Sequence, residues 1–549
     1  MRQTNISSSG QDSLTNINLD TVSGFYHWGV FTYDEKINQF IARAYERTPS
    51  LQTLKKRSNK GSINAALGPP QITIPSDAHL NLSRVLYQIT FNSGTLESAN
   101  KGTTKLEGWK IALMCDLDTS QVALKDGDAE NSPERDFIKK EFRVGDDRER
   151  ADRLFVELAE ANWNRLDNSS MIIDPDTGNP ISFNDWQDKV GDGDDEDDRP
   201  ALFKKLVQSW AKSIQKEFAT TLAISTPRSI SESYIAMIDR KTSLGPTKYL
   251  TQIYAYERAD EDATRKNETH SNAQNCLVYL GMSQDEPFPQ AKQLLYQGQV
   301  LSTTKMTLVA GYQLYLDRFL LPALARFNAA TSLSLFAKNG WDFAYEVGLD
   351  ASGAGGDDGS FHFARSEDGK TYTYHHEANT PDTPIQSLDD RSWCQPEHWS
   401  KTTNTFTFNA GSHTATLKGS VDYCQGVKVS DSQDMSSSNN FYRNLDASSW
   451  KVDLSLTLKD GILSFEFADS LGSFEHPALL KSDLHKKVAE SLRRSIDAVS
   501  KGTGISIQDP DLPSFWGARP LSTVGPVLFS SSGGIVLALD QERPGSTEG

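Results

Sequence analysis

Trp450 to Phe467 reads WKVDLSLTLKDGILSFEF, and this stretch decides a strand pair, its register and its buried face. Asp460-Gly461 is the two-residue signal of a type I′ hairpin turn, which pairs Lys459 with Ile462, Leu458 with Leu463, Leu456 with Phe465 and Leu454 with Phe467. The face holding those Leu and Phe residues is wholly apolar. The other carries Lys451, Asp453, Ser455, Thr457 and Ser464. Such a ribbon is half-wet and antiparallel, and it needs an apolar partner. The following segment offers one: Leu480, Leu484, Val488, Leu492, Ile496 and Val499 recur at three- to four-residue spacing after His476-Pro477, the pattern of an amphipathic helix.

Length and charge bound the rest. At 549 residues the chain exceeds the size at which one core keeps growing, so two or more modules are expected. The apolar runs, such as Phe319 to Leu324, are too short to span a bilayer, and residues 1–20 hold no secretory pattern. The expectation is a soluble, cytoplasmic chain, with non-classical export left open. Cys115, Cys276, Cys394 and Cys424 have no paired spacing, which speaks for reduced thiols over a disulfide scaffold or a structural zinc site. A net charge of −17 disfavours nucleic acid as a partner.

Along the chain, residues 1–22 are Ser/Asn-rich and read as disordered. Residues 23–200 form a first sheet-and-helix module. Within it lie a helix to about Arg47 opened by a Thr32/Glu35 capping box, strands over 80–92 and 105–124, helices over 134–142 and 148–166, and an acidic loop over 185–198 with eight acidic residues in fourteen positions. A central module over 201–340 begins with the clearest helix, Ala201 to Ile224, striped by Phe203, Leu206, Val207, Trp210, Ile214, Phe218 and Leu222. Strands over 233–239, 249–256 and 275–281 follow, then a helix over 311–328 with Pro322 as a kink. The last module, 341–540, is an antiparallel sheet plus the helix from Leu480, and 541–549 is a tail. The fold class is therefore α+β, with curved antiparallel sheets wrapped around long amphipathic helices.

Three segments carry a resemblance. NCLVYLGMSQDEPFP (275–289) and LLYQGQVLSTTKMTLVAGYQLYLDRFLLPAL (294–324) resemble the central segment of the toxin-cluster accessory proteins of the tubular lipid-binding (TULIP) superfamily, with Phe319, Leu320, Leu321 and Pro322 matching its apolar-Leu-Pro helix end. VSGFYHWGVFTYDEKINQFIA, from Val22, is similar to the family's opening helix, and PSFWGARPLSTVGPVLFSSSGGIVLAL, from Pro513, to its terminal strands. The resemblance covers roughly residues 22–540. It implies curved sheets around long helices that enclose an apolar groove, contact with lipid or phosphoinositide, an association with toxin gene clusters and their other encoded proteins, and no catalytic residues and no cofactor.

The lining candidates for such a groove are Trp210, Ile214, Phe218, Leu454, Leu456, Leu458, Phe465 and Phe467, although a filled core predicts the same pattern. Lys486, Lys487, Arg493 and Arg494 make the carboxy-terminal helix basic and are candidates for an anionic headgroup or membrane surface. A second hairpin, FHFARSEDGKTYTYHHE, turns at Asp368-Gly369 and sets His362 opposite His375, with Glu377 on the same face. Two imidazoles and a carboxylate are the ligand set of a catalytic zinc site, so a metal-dependent enzyme is the alternative. A structural interaction protein with filled cores is the third reading. The 185–198 loop lacks the glycine and bidentate Glu of a calcium loop, and neither GxSxG, HExxH nor a phosphate-loop GK[ST] occurs.

Overall fold

The computed structural model describes residues 17–75, 83–125, 133–145, 148–191, 199–227, 245–254, 275–295, 306–337, 345–349, 361–367, 369–379, 386–387, 393–431, 440–459, 462–467, 490, 493–494, 504–506, 512–516 and 521–541. The architecture is α+β and predominantly antiparallel. Its two compact units are not consecutive stretches of chain, as the sequence reading had them: one is Leu19–Val309 with Ile507–Gly525 and Leu537–Gly549, the other Ala310–Ser506 with Met1–Asn18 and Pro526–Val536.

In the unit of residues 19–309 the larger sheet runs Ser514–Phe515, Thr221–Ser225, Arg150–Val156, Lys110–Ala123, Arg84–Ser98, Gly61–Leu67 and Thr53–Ser58, each strand beside the next. Helix Arg199–Lys216 buries Phe203, Leu206, Val207, Trp210 and Ile214. Its ridge meets a cluster of aromatic rings in which Trp109 lies 5.3 Å from Trp186 and 5.2 Å from Phe203. A second sheet places Lys248–Tyr254, Cys276–Met282, Trp28–Tyr33 and Met306–Ala310 side by side. Cys276–Met282 and Trp28–Tyr33 are buried throughout, hence apolar without alternation.

Several expected elements differ here. Residues 148–166 form strand Arg150–Val156 and a loop, not a helix, because the strand is paired on both sides, by Lys110–Ala123 and Thr221–Ser225. The helix expected to reach Ile224 stops at Lys216, and Phe218 takes a left-handed φ of 62°, the conformation glycine usually supplies at a helix end. Thr221–Ser225 then leaves as a strand. Of the acidic loop, Asp185 to Gly191 belong to helix Phe183–Gly191, whose Trp186 is buried; residues 192–198 lie outside the described set. The Thr32/Glu35 box is absent: Thr32 is a buried strand residue, and the Glu35 N–H donates to Asp34 Oδ1 at 2.7 Å. Ile17 and Leu19 are buried and Asp20–Thr21 pairs with Gly24–Phe25, so order begins before residue 22.

In the other unit the sheet order is Ala364–Arg365, Thr371–Asn379, Trp393–Phe408, Thr414–Ser430, Asn440–Lys459, Ile462–Phe467 and Gly504–Ser506, all antiparallel. One helical rod covers it, Gln313–Leu320 wound as a π-helix and Leu321–Thr331 as an α-helix with Pro322 in its first turn. The change of winding falls where the kink was expected. A strip of polar side chains pins the rod to the sheet: Asn404 Nδ2 donates to Asn328 Oδ1 at 2.9 Å and to Thr331 Oγ1 at 2.8 Å, and Asn328 Nδ2 donates to the Phe361 carbonyl at 2.7 Å. All three side chains are buried, so the strip holds one registry of rod on sheet.

Phe465 is 2% exposed and its ring lies 6.1 Å from that of Tyr315 on the rod, so Phe465→Ala should lower unfolding free energy in urea by about 3 to 5 kcal/mol. Burial holds the Asp34 carboxyl up to about 6 against the hydrogen bonds it accepts from the Glu35 and Ile74 N–H groups. The folded chain therefore keeps a proton that the unfolded chain releases near 3.8, and this stabilising contribution, complete below about pH 4, is lost as pH rises to about 6. Asp34→Asn should flatten that part of the stability profile, read as urea midpoints across pH.

Candidate functional site

The opening hairpin has the register expected of it: Leu454 faces Phe467, Leu456 Phe465, Leu458 Leu463 and Lys459 Ile462; the Asp460-Gly461 turn lies outside the described residues. Leu454, Leu456, Leu463 and Phe465 are buried, whereas Leu458 and Phe467 are half-buried. Tyr315 on the rod touches this face and also lies 6.4 Å from Phe529. Its hydroxyl is buried with no hydrogen-bond partner, and burial pushes its ionisation upward. The rod is a described helix against the hairpin; most of 480–499, where a covering helix was expected, lies outside the described residues.

Trp210, Ile214 and Phe218 sit in the unit of residues 19–309, apart from the five hairpin candidates. Trp210 Nε1 donates to the Ser50 carbonyl at 3.0 Å, and Phe218 lies under the Arg153 guanidinium, 5.3 Å from carbon to ring centroid. Arg493 and Arg494 are helical and exposed; Lys486 and Lys487 lie outside the described residues. The pairing of Ala364 with Thr373 and Arg365 with Tyr372 runs toward His362 opposite His375, as the hairpin reading requires. His375 and Glu377 are nevertheless engaged elsewhere. His375 Nδ1 is 3.1 Å from Thr403 Oγ1, and Glu377 pairs with Lys401 at 3.1 Å. Among the described residues no group of three His, Cys, Asp or Glu side chains converges as metal ligands. Protein purified without chelator should show no stoichiometric zinc by elemental analysis, and His375→Ala should leave the metal content unchanged.

The sequence reading missed a cleft of about 200 Å³ between the two sheets of the unit of residues 19–309. Its position follows from register. Gln121, Asp152 and Ser225 form one row across three strands of the larger sheet, with Thr119 and Leu154 in the next row. Thr251 and Tyr279 face each other on the second sheet, and Tyr249 stands one row along. Asp152 Oδ1 and the Tyr279 hydroxyl are buried without a partner. Burial raises the Asp152 carboxyl against the pull of Arg150, and burial with the Asp152 charge raises the Tyr279 phenol. The missed signal was the strand Arg150–Val156: read as a helix, it cannot bring Asp152 beside Gln121 and Ser225. A smaller pocket of about 20 Å³, lined by Ile41, Tyr87, Leu222 and Trp516 among others, is apolar in its main walls. Neither cavity includes any of the eight lining candidates.

Among the described residues no helix is long and apolar enough to cross a membrane. No protein-family model matches the chain, and no curated protein sequence matches it. Among solved structures the chain is similar to P47 of Clostridium botulinum E1, at 12% identity and a TM-score of 0.44 over 94% of this chain and 99% of that one. It is similar also to P47 from Clostridium botulinum A2, at 12% identity and 0.42 over 93% and 96%, and to a lipopolysaccharide binding protein, at 8% identity and 0.29 over 94% and 100%. These likenesses are distant.

Proposed function

We propose that this chain is a lipid-binding protein that holds an amphiphile without catalysing a reaction, and that it serves as an accessory protein of the toxin-cluster kind. The observation that carries the reading is an incompletely covered apolar face in the unit of residues 310–506. Strands Thr414–Ser430 and Asn440–Lys459 have 17 and 20 residues, against a more usual five or six. The apolar row on Asn440–Lys459 runs from Trp450 to Leu458, and on the face it forms with the paired strand Leu458 and Phe467 are only half-buried beside buried neighbours. An acyl chain is a suitable cover for such a face, since it buries apolar area without asking for hydrogen bonds. The exposed Arg493 and Arg494, with Lys486 and Lys487 in the same basic stretch, favour an anionic headgroup such as a phosphoinositide on a protein whose net charge is otherwise −17. The sequence resemblance to the tubular lipid-binding superfamily points the same way.

Native mass spectrometry with lipid extraction should find lipid carried through purification. The protein should sediment with vesicles containing phosphatidylserine or phosphoinositide more than with neutral ones, and added salt should weaken that binding. Each basic side chain near an anionic surface contributes about 1 kcal/mol, so changing Lys486, Lys487, Arg493 and Arg494 together to Gln should weaken it at least about tenfold. Equal binding to neutral and anionic vesicles would reject the headgroup role. No vesicle binding and no co-purified lipid would leave a filled-core interaction protein as the better account.

A further inference from the structure

We propose that the cleft between strands Arg150–Val156 and Cys276–Met282 is a binding site for a small organic ammonium ion, gripped by the Asp152 carboxylate and the Tyr279 hydroxyl. Tyr279 is 1% exposed and lines the cleft, yet its hydroxyl has no partner, and Asp152 Oδ1 on the opposing sheet is likewise buried and unmet. Leaving such groups unpaired is costly, so two on one cavity mark a place built for something that supplies hydrogen-bond donors. The site is independent of the lipid reading, which concerns the other unit.

The charge on the walls selects the class of ligand. The lining holds two carboxylates, Asp118 and Asp152, and no Lys, Arg or His. The basic side chain that acts on Asp152, Arg150, directs its guanidinium to the Thr247 carbonyl at 3.3 Å. An ammonium offers three donors and a positive charge, which meets a carboxylate and the lone pairs of a phenol at once. Around them Ser83, Thr119, Ser225 and Thr251 supply hydroxyls, while Tyr249 stands edge-on to Tyr279, ring centroids 6.1 Å apart, and offers an aromatic wall to an alkyl ammonium. The volume of about 200 Å³ equals about six or seven waters at ~30 Å³ each, which suits a chain of a few carbons. A bound cation would also favour the ionised form of Asp152, which burial without sufficient compensating charge disfavours.

Isothermal titration calorimetry of the full chain with n-butylammonium and with putrescine tests the site, 1,4-butanediol serving as a neutral probe of similar length. The amines should saturate at one site and the diol should bind at least tenfold more weakly. Asp152→Asn preserves shape and removes the charge, so it should weaken amine binding at least tenfold. Tyr279→Phe should weaken it severalfold while leaving the melting temperature unchanged or raised, because the orphaned hydroxyl is gone; a merely structural tyrosine would not show that split. If Asp152→Asn fails to fold, Tyr279→Phe carries the test alone. Diol binding as tight as amine binding, amine affinity unchanged in the folded variants, or no saturation up to about 10 mM, weaker than ~3 kcal/mol, would overturn the proposal and leave a water-filled cleft.

Discussion

Both units depend on one constraint: a strand that is apolar on one face and polar on the other must have its apolar face covered. In the unit of residues 310–506 the cover is the rod Gln313–Thr331, whose Tyr315 meets Phe465 on the hairpin. In the unit of residues 19–309 it is helix Arg199–Lys216, whose Phe203 enters the ring cluster with Trp109, Phe183 and Trp186. Burial of such side chains contributes about 1.5 to 3 kcal/mol each relative to exposure, enough for a few contacts of this kind to decide which helix lies on which sheet.

Apolar cover is non-directional, so something else must choose the registry of rod on sheet. Buried polar groups do this. Asn404 Nδ2 donates to both Asn328 and Thr331 across the interface, and the Thr402 hydroxyl donates to the Thr331 carbonyl at 3.1 Å. Gly419 permits the arrangement: a Cβ there would meet Asn404 Oδ1 at 2.1 Å and the Trp450 ring nitrogen at 2.3 Å, both on buried side chains that cannot withdraw cheaply. The paired polar groups specify structure. Asp152 Oδ1 and the Tyr279 hydroxyl are unpaired and line one cleft, and it is that shared cleft that speaks for binding.

Charge divides the molecule in a similar way. A chain with net charge −17 repels anions at long range, so an anionic lipid has to be met by a local concentration of basic side chains such as the one that includes Arg493 and Arg494. The cleft needs no such local reversal. Its carboxylates act in the same direction as the overall field, and a cation is drawn to it at every range.

Alternation and turn chemistry were enough to set the hairpin from Trp450 to Phe467, residue against residue, because a period of two and a two-residue turn leave no freedom of register. The helix stripe from Phe203 to Ile214 and the break near Pro322 were legible for the same local reasons. Where tertiary contacts decide, local pattern misled. Ala151, Leu154, Phe155 and Leu158 recur at helical spacing, but Arg150–Val156 is hydrogen-bonded along both edges by strands distant in sequence, a long-range pairing that local spacing cannot show and that overrides it. The acidic count over 185–198 hid a short helix held by Trp186, though Ser182, whose Oγ accepts the Asp185 N–H at 3.0 Å, was a readable start signal. The stripe through Leu222 could not show that Phe218 would turn left-handed and release a strand. The cleft depends on both of those reversals, since Asp152 and Ser225 lie on the two strands concerned. Sequence by itself determined which faces are apolar and how neighbouring strands align. Only the tertiary structure decided which faces meet, and therefore which polar groups are left without partners, because burial is a property of what packs on a residue and not of the residue.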